Sequence, residues 1–224
     1  MKKVIFRVDS SVKIGAGHLM RCLTLANELR DSGYEVTFVC RKLVGNLISL
    51  IDYRVIILPI NNAFVTGNMY LNWLGETQVA DADQTINIIP DNVDFLVVDN
   101  YALDKTWHKK LRPYSRKIIV IDDLANRQFD CDVILNQNLG ANPDQYKSKV
   151  PNGCSLLLGC DYALLRAEFP KLRLKALKKR RNTTKIREIF VSVGGSDPDN
   201  IVFRILKQID QNYNVVVAIG AESP

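Results

Sequence analysis

The sequence has no long apolar run and only two histidines, His18 and His108. Few side chains are therefore candidates for a base that works near neutral pH. No stretch of the 224 residues approaches the length of a membrane span. Arg7 and Asp9 interrupt what would be the apolar part of a signal peptide. The five cysteines are odd in number and include no Cys-x-x-Cys pair, which favours reduced thiols over disulfides or a zinc site. We therefore expect a cytosolic protein that has no membrane span and uses no metal or other cofactor.

Acidic and aromatic residues are missing from residues 171–187, although this segment carries nine lysines and arginines. The net charge of +6 arises here, because the rest of the chain has 21 basic and 24 acidic residues. A nucleic-acid surface would spread its charge and interleave aromatic residues for base stacking, so we expect no nucleic-acid partner. The segment is interpreted as a solvated basic linker or helix face, with attraction to an anionic partner as a secondary possibility.

The first thirty residues combine a strand, a glycine-containing turn and a helix. Residues 4–8 form a short apolar run that is typical of a buried parallel strand. Gly15 and Gly17 follow, but the third glycine of a dinucleotide-binding fingerprint is absent. Apolar residues from Leu19 onward then recur with helical spacing, and Gly33 ends the helix. His18 is therefore predicted to lie at a helix N-terminus, at the carboxyl end of a strand, where open α/β sheets bind ligands.

His18 allows two interpretations at this point. It is either a loop histidine that packs locally or a general base that takes a proton from water.

Further strands and helices alternate as far as residue 165, which predicts a doubly wound parallel sheet. Strands are expected at residues 34–40, 54–58, 94–99, 117–123, 131–136 and 155–159, and helices at residues 41–51, 76–89 and from 105 onward, with a short helix near Tyr70, Trp73 and Leu74. Asp104 is expected to cap the helix that begins at Lys105. The Asp81-Ala82-Asp83 motif could hold a metal beside a nucleotide sugar, but a helix-surface location is favoured.

The alternating pattern restarts after the basic segment. A strand at residues 188–193, the turn Gly194-Gly195-Ser196-Asp197, a helix from Ile201 and a strand at residues 214–220 form one βαβ unit. A single βαβ unit cannot bury both faces of its strands. We therefore expect three parts: an N-terminal Rossmann-like domain (1–170), a basic linker (171–187) and the incomplete start of a C-terminal domain (188–224).

Several segments together resemble a known family. They are residues 7–11, 14–18, 21–26, 98–104, 121–127, 135–138, 158–169 and 193–197. In this order they are similar to the UDP-sugar hydrolases of pseudaminic acid biosynthesis, which release UDP from UDP-2,4-diacetamido-2,4,6-trideoxy-β-L-altropyranose. That family is similar to the MurG-type, GT-B glycosyltransferases, which have two Rossmann-like domains. The resemblance implies that the family's second domain continues for roughly a hundred residues beyond this point, a normal domain size, so we expect the chain to correspond to a C-terminally truncated member.

The resemblance implies that His18 is the catalytic base and that Tyr101 is an active-site tyrosine. It implies substrate-binding roles for a further set of residues: Gly15, Gly17, Arg21, Arg166, Gly194, Gly195, Ser196 and Asp197. Arg166 would face the diphosphate, and the last four would lie near the nucleotide. The implied reaction is hydrolysis of a UDP-sugar at the anomeric carbon with inversion. The alternatives are a glycosyltransferase that uses a UDP-sugar donor and an inactive fragment that binds sugar nucleotides.

Overall fold

The computed structural model describes residues 2–90, 92–194, 197 and 199–220. The chain divides into two compact units. The first contains Met1–Ile14 and His18–Leu164, and the second contains Gly15–Gly17 and Leu165–Pro224. None of the described helices combines the length and apolarity that crossing a bilayer demands.

The first sheet has seven strands: β1 (Lys2–Val8), β2 (Tyr34–Arg41), β3 (Arg54–Leu58), β4 (Val93–Asp99), β5 (Ser115–Ile121), β6 (Val133–Asn136) and β7 (Ser155–Leu158). Four helices connect them: α1 (Gly17–Asp31), α2 (Met69–Leu74), α3 (Gln78–Ile86) and α4 (Lys105–Leu111). All neighbouring strands are parallel, in the order β3-β2-β1-β4-β5-β6-β7. The predicted doubly wound sheet is therefore confirmed.

The strand order reverses between β1 and β4. The chain moves outward from β1 through β2 to β3, and then returns to β4 on the other side of β1. The loops that leave the carboxyl ends of β1 and β4 consequently diverge and leave a crevice between them. Val8 of β1 lies beside Asp99 of β4 in the register of this pair. The residues that follow these two positions face the crevice where ligands bind in such sheets.

Apolar side chains cover both faces of this sheet. Phe6 points to one face and packs with Leu19 and Cys22 of α1, whereas Ile5 joins the cluster on the opposite face, which contains Trp107 of α4. This arrangement explains why the strands have continuous apolar runs instead of an apolar–polar alternation. Helix α4 begins as predicted, because the Asp104 carboxylate accepts a hydrogen bond from the Thr106 amide at 2.7 Å.

The helix predicted at residues 41–51 is wrong. The segment contains only a short 3₁₀ turn, Ile48–Leu50. Its polar backbone groups bond to the loop after β1 instead: the Val12 amide donates to the Val44 carbonyl, and the Leu47 amide donates to the Ser10 hydroxyl. Gly45 between them has a φ of 68°, a left-handed conformation that interrupts a right-handed helix. These tertiary hydrogen bonds outweigh the local helical pattern.

Asp81 is not on the helix surface, contrary to the prediction. It lies on α3 and is fully buried, and both of its carboxylate oxygens are bound. Arg7 of β1 donates to both oxygens at 3.1 and 2.7 Å, Arg41 of β2 donates at 2.7 Å, and the Trp107 indole donates at 2.9 Å. Asp83 does lie at the surface, where it pairs with Lys110. The Asp-x-Asp motif therefore serves buried ion pairing through its first residue.

The second unit contains α5 (Glu168–Arg181), β8 (Glu188–Ser192), α6 (Ile201–Leu206) and β9 (Asn214–Ala218). β8 and β9 are parallel and α6 connects them, which confirms the predicted second βαβ unit. Helix α5 contains most of the basic residues predicted as a linker or helix face, and none of its residues is buried. The domain limits at residues 170 and 188 remain predictions.

His108 of α4 is buried in apolar surroundings and lies beside the Phe129 ring. Its Nδ1 accepts a hydrogen bond from the Asp130 amide, but its Nε2 has no partner among the described residues. Burial, and next the nearby Arg127 guanidinium, lower the pKa of His108 from 6.5 to about 3. The folded protein therefore keeps this ring neutral at a pH where the unfolded chain has already protonated it.

This difference predicts a loss of stability in mild acid. As the pH falls from 6.5 to about 5, above the range of the carboxylates, the free energy of unfolding should fall through this residue with a slope that approaches about 1.4 kcal/mol per pH unit. Urea unfolding followed by tryptophan fluorescence is a suitable measurement, because Trp73 and Trp107 both lie in the first unit. His108→Leu should flatten the pH dependence, and an equal slope in the variant would show that His108 does not cause it.

Candidate active site

The carboxyl ends of three adjacent strands carry acidic side chains. Asp9 follows β1, Asp99 ends β4, and Asp123 lies two residues after β5. These strands are neighbours in the order β1-β4-β5, so their ends meet at the same edge of the sheet. Helix α1 starts in the loop after β1 and directs its first turn toward this edge. The first turn of α1 contains His18, as predicted.

His18 and Asp99 form a closely bonded pair. The ring Nδ1 of His18 lies 2.6 Å from Oδ1 of Asp99. The histidine is 8% exposed and the aspartate 1% exposed, so little water competes for this contact. No described residue bonds to the other ring nitrogen, Nε2. The buried polar atoms that lack a hydrogen-bond partner do not include it. One ring nitrogen is thus held by Asp99, while the other has no partner among the described residues, and the ring lines a small pocket.

Arg21 lies one helical turn after His18 and binds the same carboxylate. Its Nε is 2.6 Å from Oδ2 of Asp99 and one terminal nitrogen is 2.7 Å from Oδ1, which is a two-point contact with the full planar group. Its remaining terminal nitrogen lies 3.2 Å from Asp123. Arg21 therefore connects two carboxylates, and its predicted contact with substrate remains a prediction.

The charge on Asp99 determines which nitrogen of His18 carries the proton. Burial alone would raise the pKa of Asp99, but the hydrogen bonds from Arg21 and the contact with His18 hold it below its usual value. An ionised carboxylate can only accept hydrogen bonds, so Nδ1 must carry the hydrogen. In the neutral ring, Nε2 then has a free lone pair, which is the form required of a general base.

Tyr101 follows β4 and lies against the histidine. Its ring meets that of His18 edge to face, with centroids 4.6 Å apart, and its hydroxyl donates to Oδ1 of Asp123 at 2.5 Å. Burial, together with this hydrogen bond, raises the pKa of Tyr101 well above its usual value. Tyr101 is thus a hydrogen-bond donor at neutral pH and cannot serve as the base.

Asp9 lines the same pocket as His18 and binds residues of three different segments. Its carboxylate accepts hydrogen bonds from the Arg41 amide at 2.7 Å and from the Asn100 side chain at 3.0 Å, and it pairs with Arg7 at 2.8 Å. The buried ion-pair cluster of Arg7, Arg41 and Asp81 is thereby connected to the loop after β4. The Asn100 side chain is therefore held by Asp9, which is itself paired with the buried Arg7.

The glycines before His18 have different surroundings. Gly15 has a φ of 80°, so the turn requires a residue that tolerates the left-handed region. Gly17 is the first residue of α1, and a Cβ built on it would meet no described atom within 4 Å. The space in front of Gly17 is open, and substrate binding by either glycine remains a prediction.

The remaining predicted residues lie in the second unit or outside the described residues. Arg166 is exposed, with its guanidinium 5.7 Å from the centre of the Phe169 ring. Gly194 has a φ of 103°. The Asp197 carboxylate is occupied locally, because it accepts hydrogen bonds from two amides at the start of α6 at 2.7 and 2.9 Å. Gly195 and Ser196 lie outside the described residues, and the substrate contacts of the whole set remain predictions.

Asp99 and Asp123 were not predicted as site residues. The sequence places both at the ends of strands but gives no sign that β4 lies between β1 and β5, which is what brings them to His18 and Tyr101. Among the described residues, no group of three or more histidine, cysteine, aspartate or glutamate side chains has the geometry of a metal site.

Comparison with known proteins adds two relatives, while no family model matches the chain. The UDP-2,4-diacetamido-2,4,6-trideoxy-beta-L-altropyranose hydrolase of Campylobacter jejuni is 29% identical over 224 residues, which cover 99% of this chain and 71% of that protein. An uncharacterised protein of Methanocaldococcus jannaschii is 26% identical over 227 residues, which cover 97% of this chain and 42% of that protein. The resemblance inferred from the motifs is thus confirmed: over nearly its whole length, this chain is similar to a UDP-sugar hydrolase.

Proposed function

We propose that the protein hydrolyses a UDP-activated diacetamido-trideoxy sugar at the anomeric carbon, releasing UDP and the free sugar on the way to pseudaminic acid. The proposal rests on the surroundings of His18: its Nδ1 is held by Asp99, its Nε2 has no partner among the described residues, and the ring lines a pocket. The relative from Campylobacter jejuni, which is named as a hydrolase of such a sugar, supports the choice of substrate.

The proposed reaction needs one base and no strong acid. Water attacks the anomeric carbon and gives one proton to Nε2 of His18. The bond between this carbon and the diphosphate oxygen breaks, and its electron pair leaves with UDP. Because a diphosphate is already a good leaving group, the paired carboxylic acids of most glycosidases are not required. Attack on the face opposite the diphosphate inverts the configuration.

Asp99 and Tyr101 have supporting roles in this proposal. The Asp99 carboxylate stabilises the imidazolium that forms when His18 takes the proton, and it holds the ring in one orientation. Tyr101 keeps its proton and packs against the His18 ring, so it orients the sugar or the water by contact and does not transfer a proton.

A time course of phosphorus NMR spectra on the purified protein with the candidate UDP-sugar tests the proposal. UDP should accumulate without any added acceptor, and proton NMR should show the inverted anomer first. In water enriched in oxygen-18, the label should enter the sugar and be absent from UDP.

Each other outcome contradicts hydrolysis at carbon. Release of UDP only after an acceptor is added would indicate a glycosyltransferase. Label in the terminal phosphate of UDP would indicate attack at phosphorus. Binding of the UDP-sugar without turnover would indicate a binding protein.

A further inference from the structure

Two aromatic side chains beside His18 have no role in the reaction described above. Tyr70 and Trp73 lie three residues apart on α2, and their rings meet edge to face with centroids 5.3 Å apart. The Tyr70 ring also meets the Tyr101 ring, at 5.4 Å, and Tyr101 in turn meets His18 at 4.6 Å. These contacts form a continuous row from Trp73 to His18, which we call the aromatic row.

The aromatic row lines one side of a small pocket. The pocket contains His18 and is lined by Tyr70, Trp73 and Tyr101, with Asp9 and Asn100 as further polar residues. The pocket thus combines aromatic side chains with a few polar groups, and its volume of about 10 Å³ holds no more than one water molecule, so a sugar would contact its rim and not enter it.

Helix α2 is firmly held although it has only six residues. The Asn68 side chain accepts hydrogen bonds from the amides of Tyr70 and Leu71, and Gly75 ends the helix with a φ of 71°. Asn72 bonds in both directions with Thr66, at 2.7 and 2.8 Å. Leu74 is fully buried and anchors the helix to the core. This framework fixes Tyr70 and Trp73 at the pocket while both remain only partly buried.

A fixed aromatic surface favours a particular kind of sugar. The face of an aromatic ring is electron-rich and attracts the slightly positive hydrogens of C–H bonds and methyl groups, but it offers no strong partner to hydroxyl groups. A pyranose with a methyl group at C6 and acetyl groups on nitrogen presents several such groups. A hexose with hydroxyl groups at the same positions would lose their water without gaining hydrogen bonds.

We propose that Tyr70 and Trp73 form the subsite that binds the methyl and acetyl groups of the sugar, and so select deoxy, N-acylated pyranoses over polyhydroxylated ones. The inference rests on the proposed function, because it assigns these residues to the sugar that His18 hydrolyses. It adds the residues that determine specificity and the part of the sugar that they contact.

Steady-state kinetics of four variants test the subsite. Tyr70→Ala and Trp73→Ala should each raise KM for the UDP-diacetamido-trideoxy sugar about ten-fold, the effect of one lost aromatic contact, with a smaller change in kcat. Tyr70→Phe and Trp73→Phe keep a ring and should raise KM less than the corresponding alanine variants do. Tyr34→Ala is the matched control, because Tyr34 lies at the amino end of β2, whereas the pocket lies at the carboxyl ends of the strands. KM values that are unchanged in both alanine variants would overturn the subsite while leaving hydrolysis intact.

Tryptophan fluorescence gives a reading that does not depend on turnover. The chain has two tryptophans, and Trp107 is fully buried, so a change on adding ligand should come from Trp73. Titration with free 2,4-diacetamido-2,4,6-trideoxy sugar should change the fluorescence, UDP alone should not, and Trp73→Phe should abolish the change. A sugar-dependent change in a protein without hydrolase activity would support the subsite and refute the proposed reaction. An unchanged signal in the wild-type protein would refute the subsite.

Discussion

Replacing His18 with asparagine is expected to lower kcat for UDP-sugar hydrolysis by a factor of about 10²–10⁴, the usual contribution of a general base. Asparagine preserves a polar group near Asp99 but has no lone pair that accepts a proton from water at neutral pH. The binding of UDP should change little, because in this account His18 acts on the water and the anomeric carbon. The measurements are kcat for the UDP-sugar and the Kd of UDP by calorimetry.

Asp99→Asn is expected to lower kcat within the same range without removing the imidazole. An amide at this position can donate as well as accept, so it no longer forces the proton of His18 onto Nδ1. Because Asp99 acts through His18, kcat should fall much more than KM rises. Arg21 keeps one carboxylate partner, Asp123 at 3.2 Å, but loses its buried ion pair with Asp99, so the folding of the variant is measured alongside kcat. Wild-type kcat in a folded Asp99→Asn protein would remove Asp99 from this role.

Asp81→Asn is expected to cost about 3–5 kcal/mol of unfolding free energy, the usual penalty for removing one partner of a buried ion pair. Burial alone would raise the pKa of Asp81, but Arg7 and Arg41 hold it below its usual value, so the folded protein keeps a negative charge here. Without that charge, the fully buried guanidinium of Arg41 loses its carboxylate partner. Urea unfolding at neutral pH, followed by tryptophan fluorescence, measures the effect.

Asp83→Asn is the matched control, because Asp83 lies two residues away on the same helix. Its side chain is 54% exposed, and its ion pair with Lys110 is at the surface. Surface pairs of this kind contribute about 0–1 kcal/mol, so this variant should unfold near the wild-type midpoint. Equal destabilisation by both substitutions would show that burial of the charge is not the cause.

Much of the fold could be predicted because its signals are local. Strands such as Arg54–Leu58 have continuous apolar runs, which identify them as buried parallel strands although they do not give the strand order. The place of His18 was also predictable, since a buried strand, a glycine-containing turn and a helix follow each other directly in the sequence. The incorrect helix prediction at residues 41–51 shows the limit of local signals. The backbone of this segment bonds instead to Ser10 and Val12, which lie more than thirty residues earlier.

The chemistry of the site depends on contacts that no local pattern reveals. His18 and Asp99 are 81 residues apart, and they meet only because β4 pairs with β1 after the chain has built the other side of the sheet. The same is true of Asp81, whose partners Arg7 and Arg41 come from two different strands. Motif spacing could thus suggest a base at His18 but could not identify the carboxylate that orients it.

Whether Asp99 acts through His18 is measured by kcat of the double variant His18→Asn/Asp99→Asn, compared with kcat of the two single variants. If Asp99 acts only by preparing His18, its loss has no further effect once the imidazole is absent. The double variant should then have the same kcat as His18→Asn. A double variant slower by the product of the two single effects would contradict it, because the two side chains would then act independently.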